Sequence, residues 1–125
     1  DYGDLGVLGE ALEQKYWPGP LTLVVPAKKE LPRGVVAPDG SIALRVSSHS
    51  ISQKLSEGID GPLVATSANI SDRGNKYSLQ EVKDELGDSV DFYVDGGELP
   101  VVNVSTIVDV RDGTPKILRQ GSIVL

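Results

Sequence analysis

Small hydroxyl and amide side chains close a short apolar run at Thr66-Ser67-Ala68-Asn69. At the C-terminal end of a strand such groups donate hydrogen bonds to an oxyanion or phosphate. Their shortness also lets backbone amides approach the same ligand. An Asx or Ser turn fits the tetrad as well. Arg45 carries the second piece of candidate chemistry. Over Ser41 to Val46 the residues alternate: Ile42, Leu44 and Val46 face one way, while Ser41, Ala43 and Arg45 face the other. A charge opposite an apolar face needs water or a partner. A guanidinium there suits a bidentate grip on carboxylate or phosphate, and a structural salt bridge suits it equally.

Ser105 and Arg119 follow related logic. Ser105 alternates against Val104 and Thr106, and Arg119 shares the strand parity of Ile117. Taken singly, each is as well explained by a satisfied hydroxyl or a surface charge. His49 precedes a helix and reads as a cap. Asp95 and Asp112 each stand before glycine and read as turn residues. Asp109 has no such neighbour and is expected to pair with an arginine. Lys28-Lys29-Glu30 reads as a solvated loop surface.

Composition excludes several other chemistries. The 125 residues hold no cysteine and one histidine, which removes disulfides, thiolate catalysis and a His-rich zinc site. The formal charge of -6 disfavours a general nucleic-acid surface, although a few arginines can still build a local anion pocket. Neither a P-loop nor a Gly-x-Gly-x-x-Gly fingerprint occurs, so an ATP site here is of another kind. No apolar run approaches the roughly 20 residues of a membrane helix, and no signal peptide is visible, which points to a cytoplasmic soluble protein.

The elements that must position these residues follow from periodicity. Leu5, Leu8 and Leu12 mark one face of a helix that stops before Pro18. Trp17-Pro18-Gly19-Pro20 is a stiff turn whose tryptophan wedges a buried strand, Leu21 to Val25, against the core. Residues 26 to 40, rich in Pro, Gly and charge, read as an excursion or flap. Ser50 with Gln53 reads as a capping box opening a helix along Ile51, Leu55 and Ile59. Leu63 to Thr66 is expected to be a short buried strand. Ser78 with Glu81 is the strongest capping box, opening a helix that Gly87 ends. Val90 to Val94 is expected to be a strand, and Val101 to Val110 is extended. Asp112-Gly113 reads as a hairpin turn that sets Val108 beside Ile117. The pattern is one α/β domain, residues 1–125, with a mixed sheet.

Several of these blocks, in order, resemble the YrdC/Sua5 family of threonylcarbamoyl-AMP synthases. They are Tyr16 to Val25, Ile42 to Val46, Gly61 to Ser71, Asp95-Gly96-Gly97, Ser105 to Asp109, and Ile117 to Ile123. The resemblance implies an α/β twisted open mixed sheet with flanking helices around a concave cavity. It implies synthesis of L-threonylcarbamoyladenylate and pyrophosphate from L-threonine, bicarbonate or CO2, and ATP, with Mg2+ on the phosphates. A partner complex would then transfer the threonylcarbamoyl group to adenosine 37 of tRNA.

By the same resemblance, Ser67 and Asn69 would contact the ATP or product phosphate. Arg45 and Ser105 would hold the threonyl carboxylate and its neighbours, and Arg119 the nucleotide phosphates. Arg45, Ser67 and Asn69 are thus the expected catalytic group; Ser67, Asn69, Ser105 and Arg119 are the expected nucleotide-binding group. The family's upstream Pro-Thr-Asp-Thr-x-Tyr-Gly-Leu and Lys-x-Arg-Pro segments do not occur, so the match reads as a partial YrdC-like domain, truncated at the N-terminus. The missing part would be a further segment or a complementary chain. The alternatives are a non-catalytic nucleotide- or RNA-binding module and a relative of carbamoyl-transferring enzymes.

Overall fold

A computed structural model describes residues 1–125. The chain divides into two compact units, Asp1–Gly61 with Asn103–Leu125, and Pro62–Val102.

The first unit is built on four strands. β1 is Leu21–Pro26, β2 Ser41–Leu44, β3 Thr106–Asp109 and β4 Lys116–Arg119. They lie in the order β2-β1-β3-β4. β1 pairs antiparallel with β2 and parallel with β3, and β3 pairs antiparallel with β4, so the sheet is mixed. Leu21, Leu23, Val25, Ile42, Val108 and Val110 form the core on one sheet face. Helix α1, Gly6–Tyr16, lays Leu5, Leu8 and Leu12 on that core. This is the i, i+3, i+7 stripe its sequence carries. Trp17 packs beside it and donates its indole N–H to the Leu21 carbonyl at 2.8 Å.

The β1–β2 connection is held down rather than free. Leu31 and Val35 pack on the core. Asp39 accepts hydrogen bonds from the Ser41 backbone and hydroxyl, and from Arg111 beyond β3. Arg111 also grips Asp109, which confirms the expected acid–arginine pair. The β3–β4 hairpin sets Val108 opposite Ile117, as the turn residues require.

Helix α2, Ser50–Gly58, starts where expected, but its capping differs. His49 occupies the cap position without a side-chain cap bond. Gln53 donates its side-chain amide to the Ser47 carbonyl instead of closing a capping box. Ser50 is already the first helical residue, one place too late for its hydroxyl to cap.

In the second unit, helix α3, Leu79–Leu86, has the full capping box. Ser78 Oγ accepts from the Glu81 amide, and Glu81 accepts from the Ser78 amide. Leu63 to Thr66 and Val90 to Val94 are not strands. A strand needs a neighbour to take its backbone N–H and C=O groups, and no segment of this chain pairs with either. Their apolar side chains stay outside: Val64 is 80% exposed and Phe92 88%.

Candidate functional site

The alternation of β1 sends Leu21, Leu23 and Val25 into the core and Thr22 to the opposite sheet face. Register carries that face across the sheet. Ala43 pairs with Val24, and Arg45 follows on the parity of Ala43. Ile107 pairs with Thr22 on one side and Arg119 on the other. Arg45, Thr22, Ser105 and Arg119 therefore share the non-core face, which is the arrangement an anion-binding surface needs.

The hydrogen bonds define this face further. Arg45 donates Nε to the Gly19 carbonyl at 3.0 Å, which anchors it to the Pro-Gly-Pro turn. Its two terminal nitrogens make no protein hydrogen bond. Arg119 closes on Ser105: Nε and Nη2 donate to the Ser105 carbonyl at 3.0 and 2.9 Å, and Nη2 donates to Ser105 Oγ at 2.8 Å. Its Nη1 is unspent. Ser105 Oγ in turn lies 3.1 Å from Thr22 Oγ1. Thr22 is the residue that reading the sequence missed. The only local signal was a hydroxyl inside an otherwise apolar strand.

Ser67 and Asn69 belong to the second unit. Asn69 donates Nδ2 to the Ile70 carbonyl at 2.8 Å, while its Oδ1 is buried without a partner. The turn that follows is tied to α3. Glu85 accepts the Ile70 amide, and its other oxygen meets Lys76 Nζ at 2.8 Å. These two contacts, Lys76 foremost, hold the Glu85 carboxyl below the ordinary glutamate value. Ser67 itself is exposed. His49 is also exposed and joins no polar cluster.

No three His, Asp or Glu side chains converge as a metal site. The Mg2+ that the resemblance implies would take its ligands from phosphate oxygens and water, and needs no protein ligand set.

The family model described as "Telomere recombination", that of Sua5, YciO and YrdC, matches residues 6–121. The chain belongs to the Sua5/YciO/YrdC family. A Pyrococcus abyssi member named threonylcarbamoyl-AMP synthase is 35% identical over 116 residues, which are 93% of this chain and 34% of its own. A Mycobacterium tuberculosis member is 34% identical over 112 residues, 90% of this chain and 51% of its own. The chain thus spans between a third and a half of the curated Sua5/YciO/YrdC relatives it matches.

Solved structures of the family agree on the fold. P. abyssi Sua5 complexed with L-threonine superposes with a TM-score of 0.88 at 33% identity, covering 96% of this chain and 35% of that one. Escherichia coli YciO gives 0.85 at 29% identity, covering 96% of this chain and 59% of its own. The twisted open α/β sheet implied by the sequence resemblance is therefore the family fold, seen here over a part of its relatives' length.

Proposed function

We propose that this chain supplies part of the site of an L-threonylcarbamoyladenylate synthase. The reaction joins L-threonine, bicarbonate or CO2, and ATP into threonylcarbamoyl-AMP and pyrophosphate, for modification of adenosine 37 of tRNA. The observation that carries this reading is the pair Arg45 and Arg119 on one sheet face, each anchored through Nε with terminal N–H groups to spare. An anchored guanidinium loses little entropy on gripping an anion, and its planar fork matches carboxylate and phosphate.

The chemistry asks for such groups. The threonine nitrogen captures CO2 to give an N-carboxylate. That oxygen attacks the α-phosphorus of ATP, and the bond to pyrophosphate breaks. The N-carboxylate and ATP are both anionic, so positioning and charge stabilisation supply most of the acceleration. Arg45 and Ser105 would hold the threonyl carboxylate, and Arg119 the phosphates. Mg2+ on the phosphates would neutralise part of their charge. No protein nucleophile is required. The relative named threonylcarbamoyl-AMP synthase and the Sua5–threonine complex support the substrate assignment. A tRNA-modification complex would take the adenylate onward. No helix is long and apolar enough to cross a membrane.

The alternative reading is a nucleotide-binding module without the synthase step. Pyrophosphate release by the 125-residue chain, with ATP, L-threonine and bicarbonate omitted in turn, separates the two. Release that needs all three supports the synthase. Nucleotide binding without threonine-dependent release supports the module.

A further inference from the structure

Ser105 and Thr22 are separated by 83 residues, yet their hydroxyl oxygens lie 3.1 Å apart. Neither side chain is fully buried, so both can meet a ligand. A hydroxyl has one proton to donate and two lone pairs to accept with. Between them the two side chains own two protons and share one hydrogen bond. Neither has another protein acceptor, so one O–H is always left over.

Which one it is depends on the acceptor that meets the pair beside Arg119. Its Nη2 donates to Ser105 Oγ at 2.8 Å and fills one of that oxygen's lone pairs. A hydrogen bond from a cation polarises the hydroxyl and makes it the better donor. If Thr22 donates to Ser105, the second lone pair is filled too. Ser105 then has no acceptor capacity left, and its proton must point away from the network.

We propose that Thr22 is a positioning residue that fixes Ser105 as a dedicated hydrogen-bond donor to an anionic ligand on this sheet face. The ligand class is a carboxylate, and the inference rests on the function proposed above for Ser105. This role needs no contact between Thr22 and the ligand. When an acceptor on this face takes the Ser105 proton, the Thr22 hydroxyl fills the second lone pair of Ser105, and it does so from a strand whose other face is locked in the core. A strand-borne support is stiffer than a loop-borne one.

The test uses the full 125-residue chain and L-threonine as probe, with binding followed by calorimetry. Thr22→Val keeps the shape of the side chain and deletes the hydroxyl; Thr22→Ser keeps the hydroxyl. Thermal melts of all variants register any packing defect. The expected result is roughly five- to tenfold weaker binding in Thr22→Val, about the worth of one hydrogen bond, with most of it recovered in Thr22→Ser. In the ligand-free protein, the Arg119 side-chain N–H signals should shift in Thr22→Val and return in Thr22→Ser.

Weakened binding in Ser105→Ala with wild-type binding in Thr22→Val overturns the positioning role and leaves the proposed function standing. Loss in Thr22→Val that Thr22→Ser does not recover means a packing role and also overturns it. If wild type, Ser105→Ala and Thr22→Val are alike, including no binding by any, the proposed role of Ser105 falls and this inference with it.

Discussion

Glu85 holds the backbone of Ile70 from fifteen residues away: its Oε1 accepts the Ile70 amide proton at 2.5 Å, directly after the Thr66–Asn69 tetrad. Its Oε2 is engaged with Lys76. One carboxylate on α3 therefore ties down both ends of the loop between Ile70 and Lys76. Glu85→Ala should raise hydrogen exchange at the Ile70 amide by about tenfold or more, while core amides such as Val108 keep their protection. The folded carboxyl lies below the ordinary glutamate value, so its contribution is present above that value and is lost as the solution is acidified through the folded pKa. Protection at Ile70 should fall in the same direction.

Thr106 is fully buried and leaves nothing unpaired. Its hydroxyl donates to the Ile123 carbonyl at 2.7 Å and accepts from the Gly121 and Ile123 amides at 3.1 and 3.0 Å. Thr106→Val keeps the volume and strands the Gly121 and Ile123 amides, while the Ile123 carbonyl keeps its bond from the Gln120 side chain. A loss of at least ~2 kcal/mol in urea unfolding is expected. Gly121→Ala should be comparably damaging, because a Cβ there would overlap the Val104 carbonyl and the Ser105–Thr106 backbone.

Asp39 links the β1–β2 connection to the far side of the sheet. Hydrogen bonds from Ser41, and then from Arg111, lower its pKa from 3.8 to about 2. Asp109 is lowered as well, chiefly by Arg111. A depressed carboxyl stabilises the fold above its unfolded pKa and stops doing so as pH falls through its folded one. Stability should therefore decline between about pH 4 and pH 2 in the wild type. Arg111→Ala should flatten that part of the curve, read as the urea midpoint against pH. A slope unchanged by the substitution would rule out the cluster as its source.

Arg45 is anchored at the Gly19 carbonyl through Nε, and its terminal nitrogens make no protein hydrogen bond. In a form that releases pyrophosphate, Arg45→Ala should reduce threonine-dependent release by two or more orders of magnitude, about the cost of deleting a charged transition-state contact. Arg45→Lys should recover only a small part, since an ammonium cannot reproduce both the anchor and the fork. Undiminished release in Arg45→Ala would remove this residue from the site.

Local pattern was enough for several parts of this protein. The stripe Leu5, Leu8, Leu12 specifies how α1 meets the core, Ser78 with Glu81 specifies where α3 begins, and Asp112-Gly113 specifies the hairpin that sets Val108 against Ile117. Each depends on residues a few positions apart, whose geometry the backbone dictates once the element forms. The family blocks, too, were readable as ordered runs of residues. What only the tertiary structure decided is which distant groups meet. Thr22 with Ser105, Arg111 with Asp39 and Glu85 with Ile70 are products of register and packing, which no local period encodes. The same reason explains Leu63–Thr66 and Val90–Val94. Their composition suits a strand, but a strand exists only when a second one takes its hydrogen bonds, and that is a property of the assembled sheet.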